Sequence, residues 1–294
     1  NKAIQGVYEL GSTFKIFTVA QALELDLVDP KTKINTKGPI RMGGHKINDY
    51  RNNGPELPVW QVITESSNLG TARIAKMIGP EKQREFLSSL GFTKPTSIEM
   101  IEANGGKPLL PKRWNELETM TISYGHGLSA TPLHLATGYA TLANGGRLVK
   151  PTLLEEEKLG LGQQIISKEV AKNSLAMLRG VVTEGTASLA DVNGYFVAGK
   201  TGTADKPSAQ GGYDKEKNIT SFASIFPIHE PKYVLVVTLD EAQDTSGPEP
   251  KRTAGWTAVP VSAEIIARVA PLLGLRPKFD NKSSVGVTLS NWQE

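Results

Sequence analysis

The chain of 294 residues contains no cysteine, which excludes disulfides, thiolate nucleophiles and cysteine-ligated zinc and leaves the redox compartment undetermined. Histidine is nearly as scarce. His45, His126, His134 and His229 show no H-E-x-x-H spacing, so each reads as a surface or satisfied core residue and no metal is expected. Aromatics make up 6%, and 33 Lys and Arg face 30 Asp and Glu, a net charge of +3 with no basic run interleaved with aromatics. Nucleic acid is therefore not an expected partner. No stretch reaches the ~18 apolar residues of a membrane span, and no basic-then-apolar leader opens the chain, which as given reads as soluble. Internal repeats and low-complexity linkers are missing too. What remains, 39% hydrophobic and 21% charged, is ordinary globular composition able to bury a sizeable core. The chain opens on Asn1 and reaches its first motif by Ser12, which points to a piece of something longer.

Residues 12 to 25, STFKIFTVAQALEL, are apolar on nearly every side and free of Gly and Pro, which predicts a buried helix with Ser12 near its first turn. From 29 to 58 Gly, Asn and Pro accumulate and periodicity is lost, as in loops and short strands. VWQVITES, LGTARIAKMI and GPEKQREFLSSLG read as two or three helices, the last with Pro80 in its first turn and Gly91 as its C-cap. Ser66 to Asn68 fall in or between the first two. Thr131 to Gly146 and Ser167 to Val182 predict two further helices, the second capped by Ser167. FVAGKTGTA, TSFASIFPI and KYVLVVTL are then three Val-, Ile-, Phe- and Thr-rich runs, as in consecutive antiparallel strands, and AVPVSAEIIARVAPLLG closes with a helix. The fold class is α+β. A helical part over about 12–190 stands beside a sheet and closing helix over about 191–274, and the polar residues 275–294 read as a mobile tail.

Gly194 to Thr201, GYFVAGKT, satisfy the phosphate-loop pattern G-x-x-x-x-G-K-[ST], and YVLVVTLDE from Tyr233 has the form of a magnesium-holding strand. A phosphate loop, however, must bend tightly and run into a helix whose N-terminus faces the anion. Here strand formers Tyr195 to Ala198 fill the bend, and GTADKPSAQGG follows Thr201 and sustains no helix. Nucleotide binding is accordingly the remote alternative.

The same segment contains Lys200-Thr201-Gly202. Ser12-Thr13-Phe14-Lys15 is the only S-x-x-K in the chain and Ser66-Ser67-Asn68 the only S-x-N. These three motifs occur together in serine acyl-transfer enzymes. Chance supplies about one each of the first two in such a length but under about a tenth of a K-T-G, so the weight lies in the third and in the order. On a helix, Ser12 and Lys15 share a face, and the amine reaches the hydroxyl it must deprotonate. It must be neutral to do so, which burial among Phe14, Ile16 and Phe17 and a second cation such as Lys200 would bring about. The plainer alternative makes Ser12 a helix cap and Lys15 a solvated cation. In a strand, the Thr201 and Thr203 hydroxyls point one way and can grip a carboxylate beside Lys200. Gly202 would clear the other side, letting a substrate backbone lie along the sheet edge.

VYELGSTFK, ITESSNLGTARIAKMIG, YGHGLSATPLHLATGYATLANGG, VVTEGTA, VAGKTGTADK and GWTAVPV, in this order from Val7 to about Gly274, resemble the transpeptidase domain of class B penicillin-binding proteins. Ser-Ser-Asn-Leu-Gly and Lys-Thr-Gly-Thr-Ala are most similar to the division-specific branch. Leu10 stands where many relatives have proline, which removes no reacting group. The resemblance implies the penicillin-binding serine-transpeptidase fold over 1–274, an antiparallel sheet flanked by helices with a helical subdomain. It further implies N-terminal strands, a pedestal and an inner-membrane anchor outside this sequence, with the domain on the periplasmic side. Ser12 would attack the D-Ala-D-Ala carbonyl of a peptidoglycan stem peptide, and an amine from a neighbouring stem would resolve the acyl-enzyme. Lys15 would be the base, Ser66 a proton relay, and Asn68 a donor to the substrate amide and to Lys15. Lys200, Thr201 and Thr203 would hold the terminal carboxylate, and the N–H groups of Ser12 and Thr203 would form the oxyanion hole. β-Lactams would acylate the same serine, other division and cell-wall synthesis proteins are the implied partners, and no cofactor or metal is implied.

Two alternatives from other classes stand beside this. A β-lactamase-like hydrolase needs a water activator, and the only E-x-x-x-N string after Ser66 runs from Glu169 to Asn173, at a helix start that reads as exposed. A β-lactam sensor would keep acylation and lose turnover.

Overall fold

The computed structural model describes residues 1–155, 162–208, 211–279 and 289–293. The chain begins with α1 (Lys2–Gln5), β1 (Tyr8–Glu9), a 3-10 turn (Gly11–Phe14) and α2 (Lys15–Glu24). Four short strands follow, β2 (Lys33–Asn35), β3 (Ile40–Met42), β4 (His45–Ile47) and β5 (Glu56–Pro58), filling the stretch expected to be loops and short strands. Then come α3 (Val59–Thr64), α4 (Asn68–Ile78), α5 (Pro80–Ser89), α6 (Glu116–Ser123), β6 (Ser129–Ala130), α7 (Pro132–Ala143) and α8 (Lys168–Thr183). The sheet strands are β7 (Ala198–Pro207), β8 (Tyr213–Phe226) and β9 (Tyr233–Asp240), and α9 (Ala258–Leu272) and α10 (Ser290–Gln293) complete the chain.

The three long strands form an antiparallel sheet in the order β7-β8-β9, and among the described residues β7 pairs on one side only. The short strands pair as β1 with β6, β2 with β5 and β3 with β4. This is the expected α+β arrangement. The helix expected from Ser12 begins instead at Lys15, because residues 11–14 wind as a tighter 3-10 turn. Pro80 opens α5, and Gly91 follows its C-cap at φ +91°, a left-handed position that favours glycine. Gly91 N–H donates to Ser88 O and Phe92 N–H to Leu87 O, the paired bonds of a Schellman end.

Beside a smaller cluster of Ile47, Leu69, Ala72, Met120 and Tyr124, the main apolar core runs beneath helices and sheet. Its centre is aromatic: the Phe14 and Phe92 rings lie 4.8 Å apart, Phe17 and Phe92 5.2 Å, Phe17 and Tyr139 5.6 Å. Each such ring contributes about 1.5–3 kcal/mol by leaving water. Since α2 is enclosed on all sides, every residue from Leu10 to Leu23 is buried except Ser12.

The phosphate-loop reading is overturned here. Thr201 is followed by six more residues of β7, not by a helix, and the acidic end of β9 is engaged by Lys206, whose ammonium pairs with Asp240 and, at 2.6 Å, with Glu241. In the tail, Lys278 N–H donates to Gly194 O (2.9 Å) and Leu289 is buried beside Gly180, so these residues pack on the domain. Residues 280–288 of that tail lie outside the described residues.

Candidate active site

The 3-10 turn presents Ser12 from two anchors. Tyr139 OH donates to Thr13 O (3.0 Å), and Gly11 N–H donates to Gly125 O (3.1 Å). Ser12 is thus a half-exposed hydroxyl on an otherwise enclosed segment, and its Oγ makes no hydrogen bond among the described residues. Leu10, the residue in the proline position, is buried, and its carbonyl accepts from Thr13 Oγ1 (2.8 Å).

Ser66 follows α3 at φ +59°, a left-handed conformation uncommon in non-glycine residues. The cause is local. Its N–H donates to Ile63 O and Ser67 N–H to Val62 O, the same helix ending that Gly91 provides after α5. A serine in the glycine position costs on the order of 1 kcal/mol and aims a hydroxyl inward. Ser67 then caps α4, its Oγ accepting from Gly70 N–H (2.9 Å) and donating to Asp49 Oδ2 (2.7 Å), while Asp49 Oδ1 accepts from Leu69 N–H.

Both lysines converge on Ser66. Lys15 Nζ donates to Ser66 Oγ at 3.0 Å and to Ser66 O, and Lys200 Nζ donates to the same Oγ at 2.9 Å. Two donors occupy the two acceptor lone pairs of that hydroxyl and turn its own hydrogen outward. Burial drives the Lys15 amine well below its ordinary value, the Lys200 charge adds to the effect and Asp49 opposes it. Burial pushes Lys200 down to about 7. Because the unfolded chain holds these protons more tightly than the fold does, stability must rise with pH from about 7 towards the unfolded lysine value. Denaturation of wild type against Lys200→Met is expected to show the wild type gaining on the variant through that window; a flat difference would contradict the assignment.

Thr201 and Thr203 turn to one flank, as expected. Thr201 Oγ1 lies 2.7 Å from Thr186 Oγ1 and Thr203 Oγ1 accepts from Ala254 N–H (3.1 Å). Lys200 Nζ also donates to Thr201 O (3.3 Å). Gly202 requires a correction. A Cβ there would lie 2.4 Å from Leu10 O and 2.9 Å from Thr13 Cγ2, so its missing side chain admits the turn that carries Ser12 rather than a substrate backbone. Asn68 needs one too: its amide donates to Asn48 O (2.9 Å), not to Lys15, whose amine goes to Ser66. Asp49 escaped the motif reading altogether, and Thr186 within VVTEGTA and the 252–256 segment that runs into GWTAVPV were read without a role at the site, since each is one ordinary polar residue or a backbone group. Among the described residues no group of three or more His, Asp or Glu gathers to hold a metal, and no helix is long and apolar enough to cross a membrane.

A half-exposed serine, a buried low-affinity lysine three residues on and a lysine-bearing edge strand define a serine acyl-transfer site on an α+β scaffold. The chain matches the penicillin binding protein transpeptidase domain over residues 1–266, and it belongs to that family. It is 33% identical over 291 residues to the probable peptidoglycan D,D-transpeptidase FtsI of Caulobacter vibrioides, covering 95% of this chain and 49% of that protein. It is 30% identical to the FtsI of Escherichia coli (94% and 46%). The transpeptidase domain of Burkholderia pseudomallei penicillin-binding protein 3 superposes with a TM-score of 0.86 at 33% identity, covering 95% of this chain and 84% of that one. An aztreonam complex of penicillin-binding protein 3 from Mycobacterium tuberculosis superposes at 0.81, with 26% identity and 95% and 65% covered. The chain spans about half the length of the curated relatives it matches.

Proposed function

We propose that this chain is the catalytic part of a serine D,D-transpeptidase that cross-links peptidoglycan stem peptides during septal wall synthesis. The observation that carries the reading is the convergence of Lys15 and Lys200 on Ser66 Oγ beside a half-exposed Ser12. Ser12 Oγ attacks the penultimate D-Ala carbonyl as its proton passes to the neutral Lys15 amine. The C–N bond breaks, the outward hydrogen of Ser66 goes to the departing D-Ala nitrogen, and the Lys15 ammonium returns its proton to Ser66 Oγ. A Cβ on Gly11 would lie 2.9 Å from Thr203 O and 3.2 Å from Thr203 N, so the backbones of Ser12 and Thr203 adjoin, and their N–H groups are the donors for the oxyanion. Lys200, Thr201 and Thr203 hold the terminal carboxylate, and Asn68 donates to the substrate amide.

The names of the relatives, peptidoglycan D,D-transpeptidases, support this substrate class, and the aztreonam-bound relative supports β-lactams as acylating mimics. The extent is one domain over 1–274. We place it on the periplasmic side of the bacterial inner membrane, with division and cell-wall proteins as partners. The hydrolase alternative gains nothing, since Glu169 is exposed in the first turn of α8. A fluorescent penicillin is expected to label Ser12 and to remain bound for long enough to isolate. Ser12→Ala should abolish the label and change stability by less than about 0.5 kcal/mol, because its hydroxyl has no partner to lose. Label on the variant, or none on the wild type, would sink the reading; rapid loss would favour a lactamase.

A further inference from the structure

Beside the reacting serine stands a polar cluster that acylation does not use. Glu9, three residues before Ser12, sends Oε1 to Gly127 N–H (2.7 Å) and Tyr213 OH (3.1 Å), while Oε2 is buried with no partner. His126, on the loop after α6, is half-buried with Nδ1 enclosed and likewise unpartnered. Its ring lies 5.3 Å from that of Tyr124 and 5.7 Å from that of Tyr213. Three elements therefore close on two orphaned acceptors: β1 with Glu9, the 124–127 loop and the end of the β7–β8 hairpin. The cluster is joined to the site through the Gly11–Gly125 hydrogen bond, and the Lys15 charge reaches His126.

An unpaired buried carboxylate oxygen selects a cation. Resting on the transpeptidase reading, we propose that Glu9 and His126 form the acceptor subsite: Glu9 Oε2 receives the ammonium of the incoming stem-peptide amine, and His126 Nδ1 takes the proton it must lose before attack. The neutral nitrogen then attacks the ester carbonyl on Ser12. The C–N bond forms, the bond from carbon to Ser12 Oγ breaks, and the second amine proton returns to Oγ through Lys15. The first proton leaves His126 for solvent, which balances one ammonium and one ester against one amide, one serine and one proton. Groups facing the imidazole set its state. Burial lowers its pKa and the Lys15 charge assists, whereas Glu9, the Tyr124 backbone and Asp205 oppose them. The net shift favours the neutral ring. Tyr213, raised by burial and by Glu9, keeps its hydrogen and continues to donate to Oε1.

The test uses an acyl-D-alanyl thioester as donor and reads amide against acid released per acyl-enzyme, so that acylation rate drops out of the ratio. Nα-acetyl-lysine methylamide supplies a charged primary amine, and hydroxylamine supplies a nucleophile that is neutral at pH 7. In Glu9→Gln, which keeps the Oε1 acceptor, and in His126→Phe, which keeps the ring packing, the ratio for the lysine amine is expected to fall about tenfold or more. That for hydroxylamine should fall less than about twofold. The lysine-amine profile of Glu9→Gln should also move to lower pH, towards the free amine's own value, because the carboxylate that holds the bound amine charged is gone. An unchanged ratio, or an equal fall for both nucleophiles, overturns the subsite while leaving the transpeptidase reading intact. Failure of wild-type Ser12 to take up penicillin overturns that reading and the subsite together.

Discussion

Replacing Lys15 by methionine is expected to slow acylation of Ser12 by about 10²–10⁴-fold, the usual contribution of a positioned base. In barrier height this is about 3–5 kcal/mol. Stability should change far less, because two effects oppose. Removing the amine leaves the Ser66 carbonyl without its Lys15 donor, at about 1–3 kcal/mol, but it also removes a cation whose desolvation the fold otherwise bears. The pH profile separates a base from a spacer. With the amine held well below its ordinary value by burial and Lys200, wild-type acylation should climb as pH rises through that depressed value and then level. Lys15→Met should show a low rate without that limb. Stopped-flow labelling with a fluorescent penicillin reads both. A variant that acylates within about threefold of wild type would remove Lys15 from the chemistry and leave it a buried strut under Ser66.

How far the sequence carries this site depends on whether a residue's role is local. The buried helix from Lys15 and the three-strand meander were legible because hydrophobic pattern and turn residues act over a few positions. Lys200 was legible as a candidate partner for Lys15 only through the order of three motifs; that they share one hydroxyl of Ser66 is a contact across 134 residues. The left-handed conformation of Ser66 left no mark. The same helix ending reads plainly at Gly91 because glycine signals it, and Ser66 hides it because the hydroxyl is needed there. Asp49, and the role of Thr186 within VVTEGTA, went unread for a different reason: a single carboxylate or hydroxyl shows no partner until the fold sets it on Ser67 or Thr201. His126 was read as structural, and only its unpaired Nδ1 gives it another use.

Gly202→Ala is expected to cost about 1–3 kcal/mol of stability and to lower acylation by about 10²-fold or more. The new Cβ meets Leu10 O at 2.4 Å, and a backbone carbonyl that also holds Thr13 Oγ1 cannot swing aside as a flexible side chain would. Relief must come from parting β7 and the 3-10 turn, and that gap is where Ser12 stands beside Thr203. Gly11 and Gly125 lie on the same seam: an added Cβ would fall 2.9 Å from Thr203 O at the first and 2.0 Å from Gly11 O at the second, both at positive φ. Three glycines therefore set how closely the nucleophile's turn approaches the edge strand and the 124–127 loop. A role for Gly202 in clearing substrate makes a different prediction. It would spare small acylating agents and penalise those with extended side chains. The seam predicts an equal loss for 6-aminopenicillanic acid and for a bulky fluorescent penicillin, together with a lower thermal midpoint. Full activity on the small compound with an unchanged midpoint would return Gly202 to the substrate side.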